Sequence, residues 1–195
     1  MVSRETEALF SLGIQYYVAA RFSAFAWFSP VCGNLFHHAI EMFLKGYLGS
    51  KKSLADLKNL GHRLGALWIL LKQEAGDPGL DRFDQTISEL DSFESIRYPD
   101  RILSYGMQSF ICMGDRQVAN VTPQQQVVAS GQSWSYQPPS TEARPEPVYQ
   151  VVVKEIDALI RELFAKSSVN PKFFTDSLPP AAKEYLAKEN ESLIG

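Results

Sequence analysis

The chain is poor in the residues from which the most recognisable sites are built. It has two cysteines, Cys32 and Cys112, in 195 residues. Two thiols so far apart form neither a disulfide framework nor a zinc-ligand spacing, and reduced cysteines in a cytoplasmic protein are the simpler expectation. Three histidines, His37, His38 and His62, leave little from which to assemble a metal centre, and none is expected. No glycine-rich phosphate loop, Walker pattern or nucleophile elbow occurs, and no bound cofactor is implied. Positive charge is not in excess either: 19 Lys and Arg against 22 Asp and Glu give a net charge of −3. That argues against a protein that wraps duplex DNA, because phosphate binding draws on clustered cations. It leaves room for a small basic cleft on an acidic protein. Long apolar runs are also missing. The stretch from Ala8 to Phe28 comes nearest, but Gln15 and Arg21 interrupt it, so a buried helix is expected rather than a membrane span. The opening MVSRETEALF lacks the basic-then-apolar layout of a secretory signal.

What is present reads as helix. Hydrophobic residues at 45% and charged residues at 21% are ordinary globular values, and the length suits one domain with appendages. The most informative segment is Ser29–Leu48, SPVCGNLFHHAIEMFLKGYL. Ser29 is placed to cap it, Pro30 fits the first helical position, and Gly49 follows as a stop. Asn34, His38, Glu41 and Lys45 share one stripe of its surface, while Phe36, Ile40, Phe43, Leu44 and Tyr47 cover much of the rest. A first helix is expected over residues 4–27, apolar around most of its axis. After the polar connection KKSLADLKNLGHRL, the spacing of Leu64, Leu67, Trp68 and Leu71 predicts a third helix ending near Gly76. A fourth is expected over 80–96, with Phe83, Ile87, Leu90 and Phe93 inward and Tyr98-Pro99 ending it. Four helices with short joins indicate an all-α fold, an antiparallel bundle of four to five helices.

From 101 to 147 the character changes, and this stretch reads as an insertion into a bundle spanning residues 1–166. MQSFICMGDRQVANV suggests a small β-hairpin turning near Gly114-Asp115. The Gln-, Ser- and Pro-rich run that follows is irregular, either mobile or a functional lid. Helix is expected to resume with Val148, Val152, Ile156, Leu159 and Leu163 and pack back on the bundle. Residues 167–195 form a tail with Phe173-Phe174 and a short helix in PPAAKEYLAKEN, docking on a neighbour or on the bundle itself.

Several clusters invite chemistry, each beside a plainer explanation. His37, His38 and Glu41 suggest a metal, but no second helical histidine stands at the required spacing and only His62 remains as a further ligand. The stripe His38–Glu41–Lys45 reads equally as a hydrogen-bonded polar line between packed helices. Cys32 lies near a helix start, where a thiol pKa falls, yet the histidines sit more than a turn further on, and a buried structural Cys is expected. The segment RYPDR differs in kind. Arg97 and Arg101 flank Tyr98 at the end of a helix, a composition suited to phosphate and base contacts; the plainer reading pairs the arginines with Glu94 or Asp100.

Taken in order, FHHAIEMFLKGYL, GHRL opening the third helix, and RYP after the fourth resemble the HEPN (higher eukaryotes and prokaryotes nucleotide-binding) superfamily over roughly residues 8–100. The shared pattern is His-x-x-Glu-x-x-x-Lys, here His38, Glu41 and Lys45, followed by a short His-x-Leu element, here His62 and Leu64. The resemblance implies a helical bundle that often forms homodimers. The family includes ribonuclease toxins, partners of minimal nucleotidyltransferases in toxin–antitoxin systems, and non-catalytic nucleotide-binding modules. Its ribonucleases carry an Arg followed about four to six residues later by a His, and this chain has no such pair, so the usual acid/base partner is missing. The resemblance thus implies a non-catalytic or divergent member that binds a nucleotide or RNA phosphate. Arg97, Tyr98, Arg101, His38, Glu41, Lys45 and His62 are its candidate ligand-binding residues, and no catalytic residue is assigned. Two alternatives stay open. One is an antitoxin or partner module for a nucleotidyltransferase, with 101–147 as the contact surface. The other is a divergent metal-independent ribonuclease using His62 or His38 with Arg97.

Overall fold

A computed structural model describes residues 3–116, 133–136, 148–188 and 190. Helix α1, Arg4–Phe25, is capped by the Ser3 hydroxyl, which accepts from the Thr6 N–H, with Glu5 and Glu7 in its first turn. A three-residue turn follows, in which Trp27 takes a left-handed conformation (φ 61°). Helix α2, Ser29–Leu48, then runs back along α1. The expected cap at Ser29 is corrected: Phe28 occupies the capping position, Ser29 is already helical, and its buried hydroxyl caps nothing. The two helices touch because each presents a glycine to the other's ring. A Cβ on Gly13 would lie 2.7 Å from Phe43, and one on Gly46 would lie 2.7 Å from Phe10.

The polar connection holds a short helix the sequence did not suggest, α3, Leu54–Asn59, whose cap Ser53 accepts from Asp56 N–H. Helix α4, Leu64–Ala75, ends as predicted at Gly76, in the left-handed conformation. The expected helix over 80–96 is divided. A 3-10 turn, Pro78–Phe83, leads into α5, Asp84–Ser92, and a second turn, Phe93–Ile96, follows it. Phe83, Ile87, Leu90 and Phe93 all face the core, as their spacing required. The helical stretch stops at Ile96 and Tyr98 is extended, as expected of the residue before Pro99, but Pro99 has a second role. It opens α6, Pro99–Tyr105, where a missing N–H costs nothing.

The chain is mostly helical, as expected, and also carries a small sheet, two of whose strands fall in the region expected to hold a hairpin insertion. Strand β1, Met107–Cys112, lies between β2, Ser133–Tyr136, which is antiparallel to it, and β3, Val148–Val152, which is parallel. The hairpin reading thus placed β1 but not its partner. Residues 117–121, the expected second arm, and most of the irregular run to 147 lie outside the described residues. Val148 and Val152 belong to β3 rather than to the fifth helix, since a run rich in β-branched residues favours a pleated, half-buried surface. That helix, α7, Val153–Ser167, keeps Ile156, Leu159 and Leu163 inward.

The tail docks on the bundle itself. Phe174, in α8, Lys172–Thr175, packs on Phe10, and Tyr185, in α9, Pro180–Ala187, meets Phe22 edge-on. A fully buried cation anchors it. The Arg21 guanidinium donates to the Asp157 carboxylate and to the carbonyls of Tyr185 and Lys188. Asp157 also accepts from the Tyr17 hydroxyl, which accepts in turn from Asn190 at 2.7 Å. Among the described residues no helix is long and apolar enough to cross a membrane.

Candidate functional site

On the four-residue polar stripe of α2, His38 and Lys45 converge on the carboxylate of Glu41. Glu41 is 1% exposed, and an anion so placed must be matched by donors. Lys45 Nζ, one turn on, donates to it at 2.6 Å, and His38 Nδ1 lies 3.4 Å away. His62 Nδ1 reaches both oxygens, at 3.1 and 3.0 Å, from the α3–α4 connection. Asn34, the fourth, bonds only the Pro30 carbonyl of its own helix. Burial alone would push the Glu41 carboxyl up. The hydrogen bonds from His38, Lys45 and His62 outweigh it and hold the group at about 2. Glu41 is therefore a carboxylate, which only accepts, so Nδ1 of both histidines carries a proton.

The loop that delivers His62 is fixed from two sides. Gly61 takes a left-handed conformation (φ 62°), and its carbonyl accepts from Lys45 Nζ at 2.8 Å. Asp91, at the end of α5, accepts from the Leu64 N–H at 2.8 Å and the Gly65 N–H at 3.3 Å, satisfying the first turn of α4. With Nδ1 turned to Glu41 and the side chain 51% exposed, His62 has Nε2 left for an outside partner.

The RYPDR segment is exposed. Tyr98 is 65% exposed, and Arg97 and Arg101 also face solvent. Of the two partners expected for Arg97, Glu94 is the one found, at 3.4 Å. The same carboxylate joins the segment to α2, since its other oxygen lies 3.8 Å from His37 Nε2. His37 is buried, its Nδ1 sits 3.0 Å from the Leu90 carbonyl, and its Nε2 has no hydrogen-bond partner. Burial holds its pKa below the usual imidazole value. The structure thus brings His38, Glu41, Lys45 and His62 into direct contact, and links Arg97 to them only by way of Glu94 and His37. Tyr98 and Arg101 share its surface segment without touching the cluster.

Cys32 is buried, its thiol bonds the Ser29 carbonyl, and burial pushes its pKa up, which removes it as a nucleophile. Among the described residues, His37, His38 and Glu41 form the one group whose ligand atoms approach within 4.8 Å of one another. Its fit to a metal is poor. Glu41 already receives the Lys45 ammonium, which would repel a second cation, and His38 Nδ1 is turned to the same carboxylate. Sequence reasoning missed Asp91, weighed Glu94 only as a partner of the arginines, and weighed His37 only beside a metal or Cys32. No protein-family profile, curated protein or solved structure matches this chain.

Proposed function

We propose that the chain is a HEPN-like antiparallel helical bundle that binds the phosphate of a nucleotide or RNA at the Arg97 surface, works as a homodimer and acts in the cytoplasm. The observation that carries this reading is the exposed run Arg97–Tyr98–Arg101, joined through Glu94 to the histidine-bearing face of α2. Two guanidinium groups beside an uncovered aromatic ring supply bidentate donors for phosphate and a stacking surface for a base. Glu41 and Lys45 act behind this surface, fixing the loop of His62 rather than meeting the ligand. The cytoplasmic assignment is supported by two unpaired, buried thiols.

Binding of ATP, other nucleotides and short RNA to wild type and to Arg97→Ala tests the reading. Binding that Arg97→Ala weakens at least tenfold is expected. If none of these ligands binds, and the variant behaves like wild type, the ligand assignment is wrong.

One observation favours a second reading, a divergent ribonuclease. A buried carboxylate that fixes one ring nitrogen and leaves the other accessible is how acid/base histidines are oriented, and Glu41 does this for His62. RNA cleavage by wild type that His62→Ala abolishes would establish it. Cleavage left intact by that change would point to a contaminant.

A further inference from the structure

Glu94 stands between two groups with opposite needs. A carbonyl only accepts, so the 3.0 Å contact with Leu90 places the proton of neutral His37 on Nδ1 and the lone pair on Nε2. That lone pair is buried, unpartnered and 3.8 Å from Glu94 Oε2. Two acceptors facing each other with no hydrogen between them repel, and the contact becomes favourable only when Nε2 takes a proton. Glu94 Oε1 meanwhile lies 3.4 Å from Arg97 Nη1. One carboxylate therefore serves a buried base and the exposed guanidinium assigned above to phosphate.

We propose that this site takes up its phosphate together with one proton, which His37 Nε2 receives from solvent as Glu94 turns from Arg97 to the imidazole. The inference rests on the phosphate-binding reading. No bond in the ligand is made or broken; an N–H forms at Nε2, and the positive charge gained there balances the carboxylate that the phosphate has displaced. The charged and titratable groups around His37 come from each element packed on it. His38 and Glu41 lie on α2, and Glu94 comes from the turn after α5 with Arg97 beyond it. In the free protein burial keeps Nε2 unprotonated at neutral pH, helped by His38 and opposed by Leu90, Glu41 and Glu94. With a phosphate on Arg97, the undivided charge of Glu94 falls on the imidazole and raises its pKa. Affinity then rises as pH falls through the window between the free and bound values, by up to tenfold per pH unit for one linked proton. His38 and His62 contact Glu41, not Glu94, so a change at Glu94 isolates the contribution of His37.

The test uses a short RNA with hydroxyl ends, whose phosphodiesters do not titrate here. Calorimetry from about pH 5.5 to 8, in two buffers of different ionisation enthalpy, counts protons taken up by wild type and Glu94→Gln. Nitrogen NMR of His37 follows Nε2 directly. Wild type is expected to take up close to one proton more than the variant, with Nε2 protonating on binding. Glu94→Gln should bind several-fold more tightly at pH 8, because its Arg97 carries no anion. Equal uptake in both proteins, with Nε2 unchanged, would overturn the coupling and leave the phosphate reading standing. No binding at any pH would overturn both.

Discussion

At the scale of single residues, Glu41 organises the most chemistry. Its folded pKa of about 2 lies below the 4.5 of a free glutamate. Such a group stabilises the fold fully above the unfolded value and loses that contribution as pH falls from 4.5 towards 2. The effect is on the order of 3 kcal/mol. Glu41→Gln should lose about that much stability at neutral pH, because Lys45, His38 and His62 would then face one another without an anion. In urea unfolding across this range the variant should lack the acid limb that wild type shows, and parallel curves would count against the cluster. His37 adds a separate slope. Its folded pKa is depressed, so the unfolded chain binds the extra proton first, and stability declines as pH falls below the ordinary imidazole value.

At the scale of elements, the position of His62 depends on Asp91 holding α4 to α5. Asp91→Ala should cost about 1 kcal/mol as a lost cap. It should also broaden the His62 ring signals in NMR; sharp, unshifted signals would show that Lys45 alone fixes the loop. The same elements separate what the sequence disclosed from what it did not. Helix α2 was legible because proline, glycine and apolar residues around most of its axis agree, and so was the His38–Glu41–Lys45 stripe, which needs only the helical period. The strand Val148–Val152 was misread as helix because its apolar spacing is compatible with the α7 stripe, and its partner β1 is distant in sequence. Pro99 was read correctly as the stop of the fourth helix, but the helix it opens was not read, although proline fits a helix start equally well. Asp91, and the contact of Glu94 with His37, were hidden for another reason. Their partners, Leu64, His37 and Gly65, lie dozens of residues away, and no periodicity connects them.

At the scale of the whole molecule, α1 has two unlike faces. Towards the core it carries Phe10, Ile14, Tyr17 and Arg21. Outward, Phe22 is exposed on an apolar groove of about 420 Å³ shared with Leu178, Ala181 and Tyr185. That face is the natural seat of the proposed homodimer, so Phe22→Glu should give a monomer by light scattering; a wild type already monomeric at high concentration would remove the proposal. Beneath the other face, Arg21→Met should destabilise the protein by about 3–5 kcal/mol, because Asp157 would be left as an unpaired buried charge. Adding Asp157→Leu should recover part of the loss in urea unfolding, and no recovery would mean that the tail carbonyls dominate.

The partners of Arg21 are separated from it by 136, 164 and 167 positions. Contacts that distant form late in a conformational search, because the chain must first surrender the entropy of very large loops. The α1–α2 hairpin can collapse early on its local aromatic contacts, but Arg21 has no protein partner until Asp157 and the Tyr185–Lys188 turn arrive. A hairpin cut out of this chain would keep those aromatic contacts but lack every long-range partner of Arg21, and is expected to stay molten rather than fold as an autonomous unit.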